Sequence, residues 1–352
     1  MSLSRKNHYI PQMYLDAWAN NGLIRVYDLL VADEKMPVWS KPKQLSSIGY
    51  MKNLYIGVMS NAEFDDIEHE FNERFETPAK EPLAKIIKGL KLTSDEWHVI
   101  SDFVAAQYVR VPAFYHHTHN MMIQHAKNFL NNLPPISKQA IEKRKAANIP
   151  SDTAAKEFIP LSIELTDKKT PDGDAILHIG TTVGKGYWLY SIKHFLDEKS
   201  EVRAHFHKIK WSICESAPGF TWPICDNPFV ILNARSDNPG LIARDNIFVF
   251  PISQTQVLIG KNANRWPWKL RLSTDNSSVI REAIILNAER YIYNPCPDNE
   301  IPRIRPRIVN EKEFKRIKQM YDSWHDVYIE KEGPTLNADK RIKGWPEKKN
   351  EE

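Results

Sequence analysis

Residues 93–110 read Thr-Ser-Asp-Glu-Trp-His-Val-Ile-Ser-Asp-Phe-Val-Ala-Ala-Gln-Tyr-Val-Arg, and they anchor the helical part of the chain. Thr93 and Glu96 have the spacing of a capping box, which predicts a long helix beginning after Thr93. Pro112 is expected to kink or split that helix, because proline removes a backbone donor. A stripe of aromatic and aliphatic side chains at helical spacing predicts an earlier helix from about residue 62: Phe64, Ile67, Phe71 and Phe75. Pro78 and Pro82 are expected to interrupt or end that helix.

The second half of the chain shows the two-residue alternation of β-strands instead. Apolar and polar side chains alternate in six short segments that are separated by turn residues: 161–165, 175–179, 208–214, 229–232, 247–250 and 256–259. Helices are expected near 187–196 and 277–291, and one more strand at 23–28. We therefore predict an α+β fold, with a helical first half packed on a mostly antiparallel β-rich second half.

The predicted organisation has five segments. These are an extended and strand segment 1–60, a helical region 61–157, a β-rich region 158–310 with two helices, a C-terminal helix 311–330, and a disordered tail 331–352.

Composition excludes several classes of protein. Of the 352 residues, 42% are hydrophobic and 11% aromatic, which excludes general disorder. Three cysteines without a C-x-x-C pair argue against a disulfide framework or a structural zinc site. There is no P-loop, no G-x-G-x-x-G and no G-x-S-x-G motif. No apolar run is long enough to span a bilayer, and the N-terminal residues lack the continuous apolar region of a signal peptide, so we expect a soluble cytoplasmic protein without a membrane partner.

The densest group of functional side chains lies at 7–15, Asn-His-Tyr-Ile-Pro-Gln-Met-Tyr-Leu. The His8 imidazole is the only group in this stretch that can transfer a proton near neutral pH. Pro11 disfavours helix before it and should hold His8 on an extended rim. The same pattern also fits a buried aromatic plug in which His8 bonds a carbonyl.

This opening motif resembles that of the bacterial family known as domain of unknown function 4238. Further resemblances follow in the same order at Ile67-Glu68, at 107–112, at 225–228, at 250–253 and at Leu286-Asn287. The family more often has Ser where this chain has Cys225. The resemblance implies no activity, but it nominates positions. From them we predict substrate contacts at Tyr9, Tyr14, Gln107, Asn227 and Asn287.

Two helices carry the next candidates. Glu68 lies at the edge of the aromatic stripe, where a desolvated carboxylate can bind a metal or act as a base. Gln107 and Arg110 are one turn apart on the long helix, so they share a face. A guanidinium there can grip a phosphate or a carboxylate. The alternatives are a rim salt bridge for Glu68 and a structural pair between Arg110 and Glu68.

Asp226 follows an apolar run and precedes a strand, which suits a metal ligand or base, although Asp-Asn-Pro is also a plain turn motif. Histidines 116, 117, 119 and 125 lack neighbouring carboxylates, and we interpret them as a polar helix face. His205 and His207 are expected on one face of a strand. The basic stretch 303–318 can contact phosphates, but acidic neighbours favour a solvated surface helix.

Two hypotheses follow. The first is a metal-dependent hydrolase acting on a phosphodiester or nucleic acid: Glu68 and Asp226 hold Mg²⁺ or Mn²⁺, His8 is the acid or base, and Arg110 stabilises negative charge. The second is a non-catalytic binding or regulatory module whose polar motif residues form a buried network. An open cleft with unpaired carboxylates would favour the first, and a sealed network the second.

Overall fold

The computed structural model describes residues 3–59, 62–119, 162–169, 175–182, 184–232, 241, 243, 245–262 and 266–338. Residues 120–157 of the predicted helical region, including His125, lie outside the described residues. The predicted α+β class is confirmed, because helices and mostly antiparallel sheets are both present.

Short helices and strands open the chain, and longer helices follow. The helices are α1 (Gln12–Leu15), α2 (Asp66–Phe71), α3 (Thr77–Ile87), α4 (Ser94–Arg110), α5 (112–119), α6 (Lys185–Leu196), α7 (Glu201–Lys208), α8 (Thr274–Asn287), α9 (Ile301–Ile304) and α10 (Glu311–Ala338). Asp16–Trp18 and Leu45–Ser47 form 3₁₀ turns, and Asn72–Glu76 is a π-helical turn that joins α2 to α3.

The strands before residue 70 are β1 (Lys6–His8), β2 (Leu23–Asp28), β3 (Leu30–Val31), β4 (Lys43–Gln44), β5 (Tyr50–Lys52), β6 (Gly57–Met59) and β7 (Ala62–Phe64). Those after it are β8 (Ser162–Lys169), β9 (Ala175–Thr182), β10 (Lys210–Glu215), β11 (Ile224–Cys225), β12 (Val230–Leu232), β13 (Ile247–Ser253), β14 (Gln256–Lys261), β15 (Lys269–Arg271), β16 (Tyr291–Asn294) and β17 (Ile308–Val309).

The chain divides into two compact units. The first contains residues 1–56, 65–115 and 192–323, and the second contains 57–64, 116–191 and 324–352. In the second unit β6 pairs with β7 and β8 pairs with β9, both antiparallel. None of the helices among the described residues has the length and apolarity to cross a membrane.

Two sheets organise the first unit. One has the order β12-β13-β14-β10-β15, antiparallel except for the β10–β15 pair. The other has the order β11-β16-β2-β4 and joins the start of the chain to its last third: Ile292 lies opposite Tyr27. Because β2 needs a partner more than 260 residues away, the local alternation predicted the strand but not its sheet.

Helix α4 packs on the larger sheet. Its capping box is present as predicted, with Thr93 Oγ1 accepting from the Glu96 backbone and Glu96 accepting from the Thr93 backbone. Phe103 on α4 meets Phe250 on β13 edge to face, and Ser101 Oγ accepts a hydrogen bond from the buried Trp211 indole. The helix ends at Arg110, before Pro112, as the missing proline donor requires.

Three local predictions were wrong. The helix expected to stop near Pro78 or Pro82 continues to Ile87 with Pro82 inside it. His205 and His207 lie on helix α7, and the strand begins only at Lys210. The C-terminal helix α10 continues past residue 330 to Ala338, into the segment predicted to be disordered.

Candidate functional site

A cleft of about 540 Å³ lies in the first unit, between the N-terminal segment and the start of the α2–α3 helix. The N-terminal segment contributes one wall: Ser4, His8, Pro11, Gln12 and Met13. The helix contributes the other, which is rich in carboxylates: Asp65, Asp66, Glu68, His69, Asn72, Glu76 and Lys80. The structure therefore brings two of the predicted site residues, His8 and Glu68, to one cavity.

Backbone pairing holds the N-terminal wall in place. Strand β1 pairs antiparallel with β5, and the N–H groups of Tyr9 and Ile10 both donate to the Gly49 carbonyl. Gly49 has φ +61°, and a Cβ there would lie 3.2 Å from Ile10 Cβ, so glycine suits the position on both counts. The buried Asn7 amide donates to the Ser4 carbonyl and accepts from the Tyr55 N–H.

Arg110 links the two walls from behind the cleft. Its side chain is fully buried, and one terminal nitrogen donates to Glu76 at 2.6 Å while the other donates to the His8 carbonyl. Its Nε donates to the Tyr55 hydroxyl at 3.4 Å, and its guanidinium lies 4.5 Å from the Phe71 ring centre. Since Arg110 is 0% exposed, it cannot reach a ligand in the cleft, and these contacts make it a positioning residue.

The π-helical turn Asn72–Glu76 sets up the ion pair with Arg110. A π turn inserts one extra residue into a helix and shifts the faces of everything after it. Here the turn places the Glu76 side chain, which is only 16% exposed, against the Arg110 guanidinium. The helical spacing of the aromatic stripe up to Phe75 gave no indication of this π turn.

Glu68 is a desolvated carboxyl group beside that ion pair. Burial raises its pKa to about 7, Arg110 opposes that shift, and the nearby Glu76 adds to it. A hydrogen bond with the His8 backbone also favours the ionised form. Its buried Oε2 has no hydrogen-bond partner among the described residues. A carboxyl group with a pKa near 7 can exchange a proton close to neutral pH.

His8 faces the same cavity as a neutral imidazole. Burial lowers its pKa below the usual 6.5, and the charges of Lys6 and Arg110 lower it further. The ring bonds the Ser46 backbone, while its buried Nε2 finds no partner in the described part of the chain. The hydrogen bond to the Ser46 backbone is therefore made by Nδ1, and Nε2 keeps a lone pair that can accept a proton.

Asp226 lies elsewhere in the first unit and does not line the cleft. Its Oδ1 accepts from the Glu289 N–H at 2.8 Å, and Oδ2 accepts from the N–H groups of Arg290 and Tyr291 at 2.7 and 3.0 Å. Burial raises its pKa to about 7, and the three backbone donors favour its ionised form. The contacts give Asp226 a structural function, holding the start of β16; its role as a metal ligand stays a prediction.

The predicted substrate contacts at Tyr9, Tyr14 and Gln107 are buried and do not line the cleft. The Tyr14 hydroxyl donates to the Pro251 carbonyl at 2.5 Å, and its ring stacks on Phe250. The Gln107 amide is fully buried, and neither of its polar atoms has a partner among the described residues.

Asn227 and Asn287 form a reciprocal clasp with each other's backbone. Asn287 Nδ2 donates to the Asn227 carbonyl at 2.6 Å and to the Phe229 carbonyl at 3.1 Å, and Asn227 Nδ2 donates to the Asn287 carbonyl at 3.3 Å. The Cys225 thiol bonds the Asn227 carbonyl at 3.0 Å. These motif residues join the end of α8 to the turn before β12.

The described residues contain no cluster of three or more His, Cys, Asp or Glu side chains arranged to hold a metal ion. In the basic stretch, Arg307 donates to backbone carbonyls of Glu34, Met36 and Pro37. The lysines and arginine that follow on α10 form i,i+3 and i,i+4 ion pairs. The solvated-helix interpretation of that stretch agrees with these contacts.

Several residues of the site were not nominated from the sequence. Glu76 and Tyr55 are the partners that fix Arg110. Asp65 and Asp66 line the cleft at the start of α2. The adjacent phenylalanine stripe was the available clue, since it places one edge of that helix against the core.

One protein family matches the chain. Its model, described as Protein of unknown function (DUF4238), covers residues 6–295, and the resemblance drawn from the ordered motifs is confirmed. No curated protein and no solved structure matches the chain.

Proposed function

The chain belongs to the family Protein of unknown function (DUF4238), and from the cleft itself we propose that it is a hydrolase using His8 as general base and Glu68 as general acid. The observation that carries the proposal is the pair of unpartnered atoms, His8 Nε2 and Glu68 Oε2, in side chains that line one cavity. A buried polar atom without a partner costs about 1–3 kcal/mol, and a catalytic role is one recognised reason for a folded protein to keep such an atom.

The two pKa shifts make this assignment chemically coherent. The pKa of His8 is lowered below 6.5 and that of Glu68 is raised to about 7. Between those values the imidazole is neutral and can take a proton from water, while the carboxyl is neutral and can give a proton to a leaving group. The positions are fixed by Arg110, which bonds the His8 carbonyl and counters the charge near Glu68.

A phosphodiester, in a nucleic acid or another phosphorylated ligand, is the proposed substrate, and Mg²⁺ or Mn²⁺ the proposed cofactor. The helical wall carries Asp65 and Asp66, which would repel a phosphate unless a divalent cation offset their charge. Magnesium is usually held by one or two carboxylates together with substrate phosphates, so a preformed cage is not required. Glu68 cannot donate a proton while it ligates a cation, and the experiment below separates these two roles.

Hydrolysis of single-stranded DNA, duplex DNA, RNA and bis-p-nitrophenyl phosphate should be measured with EDTA, Mg²⁺ or Mn²⁺. We expect His8→Gln and Glu68→Gln each to lower kcat/KM by about 10²–10⁴. Glu70→Gln, on the same helix and paired only with Arg74 in the described structure, is the matched control and should retain activity. The wild-type pH profile should rise through the pKa of His8 and fall near pH 7.

Two results would redirect the proposal. If activity requires metal and stays high well above pH 7, Glu68 acts as a ligand rather than as an acid. If the wild type cleaves none of the four substrates under any metal condition, the phosphodiester assignment is wrong.

The second candidate is a binding or regulatory module without catalysis. The observation that favours it is the complete burial of Arg110, whose bonds to Glu76, the His8 carbonyl and the Tyr55 hydroxyl form such a network. Under that hypothesis Glu68→Gln and His8→Gln would change stability but no turnover on any substrate.

A further inference from the structure

We propose that His98 and His207 form a binding site for one divalent transition-metal ion, with Zn²⁺ as the preferred occupant. The two residues lie on different helices of the first unit, α4 and α7, and neither residue lines the cleft. Imidazole nitrogen is a favoured ligand of zinc, copper and nickel. This inference is independent of the hydrolase proposal.

The separation of the two rings fits shared ligation. Their centroids lie 5.0 Å apart, with an interplanar angle of 44°. Two imidazoles bound to one tetrahedral zinc, each with a Zn–N distance of about 2.0–2.1 Å, have ring centres about 5 Å apart. This spacing allows shared ligation without movement of the helices, with the His98 ring rotating while His207 keeps its bond to Asp102.

Asp102 orients one of the two ligands. Its Oδ1 lies 2.8 Å from His207 Nε2, and an ionised carboxylate can only accept, so Nε2 carries the proton. His207 Nδ1 then offers its lone pair. A carboxylate that holds the second nitrogen of a histidine is the usual outer partner of a metal-binding imidazole.

Arg203 keeps that carboxylate ionised and fixed. Its Nε and a terminal nitrogen donate to the two Asp102 oxygens at 3.0 and 2.8 Å, a two-pronged contact. Arg203 and His207 are one turn apart on α7, and Asp102 lies one turn after His98 on α4. The cluster thus joins the two helices through Asp102, which lies behind the histidines and is itself held in place.

The proposed site has two protein ligands and open positions for water. The described residues provide no third His, Cys, Asp or Glu ligand, so the affinity should lie below that of a structural zinc site. His98 is exposed and His207 partly exposed, so an ion can reach them from solvent.

The test is Zn²⁺ titration of the full chain by isothermal calorimetry at pH 7.5, after removal of any affinity tag. We expect one site that is lost in His98→Ala and in His207→Ala. Asp102→Asn should weaken binding by about 10–100-fold, the usual effect of removing an outer partner. His194→Ala, which removes an exposed histidine on α6 that does not line the cleft, should leave this site unchanged.

Electron paramagnetic resonance with Cu²⁺ provides the second readout. The wild type should show coupling to two imidazole nitrogens, and each single variant should show one. Far-UV circular dichroism should confirm that the variants remain folded. If the wild type binds no more Zn²⁺ than the His98→Ala/His207→Ala double variant at 1 mM, or if the copper spectrum shows only one nitrogen, the site does not exist and the contact is plain ring packing.

Discussion

Replacing Arg110 by Met should destabilise the protein by about 3–5 kcal/mol, the range measured when one partner of a buried ion pair is removed. The magnitude follows from what the side chain satisfies. Arg110 is 0% exposed, its ion pair with Glu76 spans 2.6 Å, and it also bonds the His8 carbonyl and the Tyr55 hydroxyl. Methionine would keep the contact with the Phe71 ring but leave Glu76 and Glu68 without a counter-charge.

The assay is urea unfolding followed by tryptophan fluorescence, with Arg110→Lys and Glu76→Gln as companions. Lysine keeps the charge but not the forked geometry, so Arg110→Lys should lose less stability than Arg110→Met but still be less stable than the wild type. Because Arg110 and Glu76 are in direct contact, the double variant Arg110→Met/Glu76→Gln should lose less than the sum of the single variants, with a coupling of about 1–3 kcal/mol.

Arg110 also controls the titration of its neighbour. Its charge lowers the pKa of Glu68, so removing it should move that pKa above about 7. A loss below about 1 kcal/mol in Arg110→Met, or strict additivity with Glu76→Gln, would refute the view that this ion pair holds the cleft together.

Three further perturbations test other parts of the structure. The pKa of Glu68 is about 7 in the folded protein, above its ordinary value of 4.5. The contribution of Glu68 to stability is therefore full below pH 4.5 and is lost as pH rises through about 7. Glu68→Gln should remove this pH dependence and raise the free energy of unfolding at pH 8 by about 1–3 kcal/mol, measured by urea unfolding at pH 5 and pH 8. Asp226→Asn should cost about 1–3 kcal/mol without any metal present, because one amide oxygen cannot replace a carboxylate that accepts three N–H bonds; unchanged stability together with weaker metal binding would instead support a ligand. In the second unit, His325 lies 2.7 Å from Glu63 and 3.0 Å from Lys185, and burial and Lys185 lower its pKa. Its contribution is therefore present above pH 6.5 and lost as pH falls through its lowered pKa, and His325→Gln should flatten acid-induced hydrogen exchange in β6–β7.

Local sequence rules predicted the elements better than their partners. The Thr93–Glu96 capping box and the proline after Arg110 specified α4 at both ends, because both effects act within one turn of the chain. The alternation at 23–28 predicted β2 correctly, but its pairing with β16 depends on contacts across more than 260 residues that no local pattern encodes. His205 and His207 were misassigned because Ser200 caps a helix there, and the strand alternation starts only after it.

The site was predicted in part, for the same reason. His8 and Glu68 were nominated from their chemistry, and the structure places both at one cavity. Glu76 was missed because a π turn shifts its direction. Asn227 and Asn287 bond each other's backbone, and substrate binding by them stays a prediction because short polar motifs serve both purposes. Which polar group faces a cavity is decided by tertiary packing, not by residue type.

The anchoring of Tyr14 to the Pro251 carbonyl has a consequence for biosynthesis. The two residues are 237 positions apart, and Trp18 reaches the Trp222 carbonyl across 204 positions. On the ribosome, at about 5–20 residues per second, the opening segment must wait some ten seconds or longer for these partners to be made. During that interval Tyr14 lacks its contacts with Phe250 and Pro251, and Trp18 lacks the Trp222 carbonyl. Nascent chains of this protein should therefore depend on chaperone protection until translation passes residue 251.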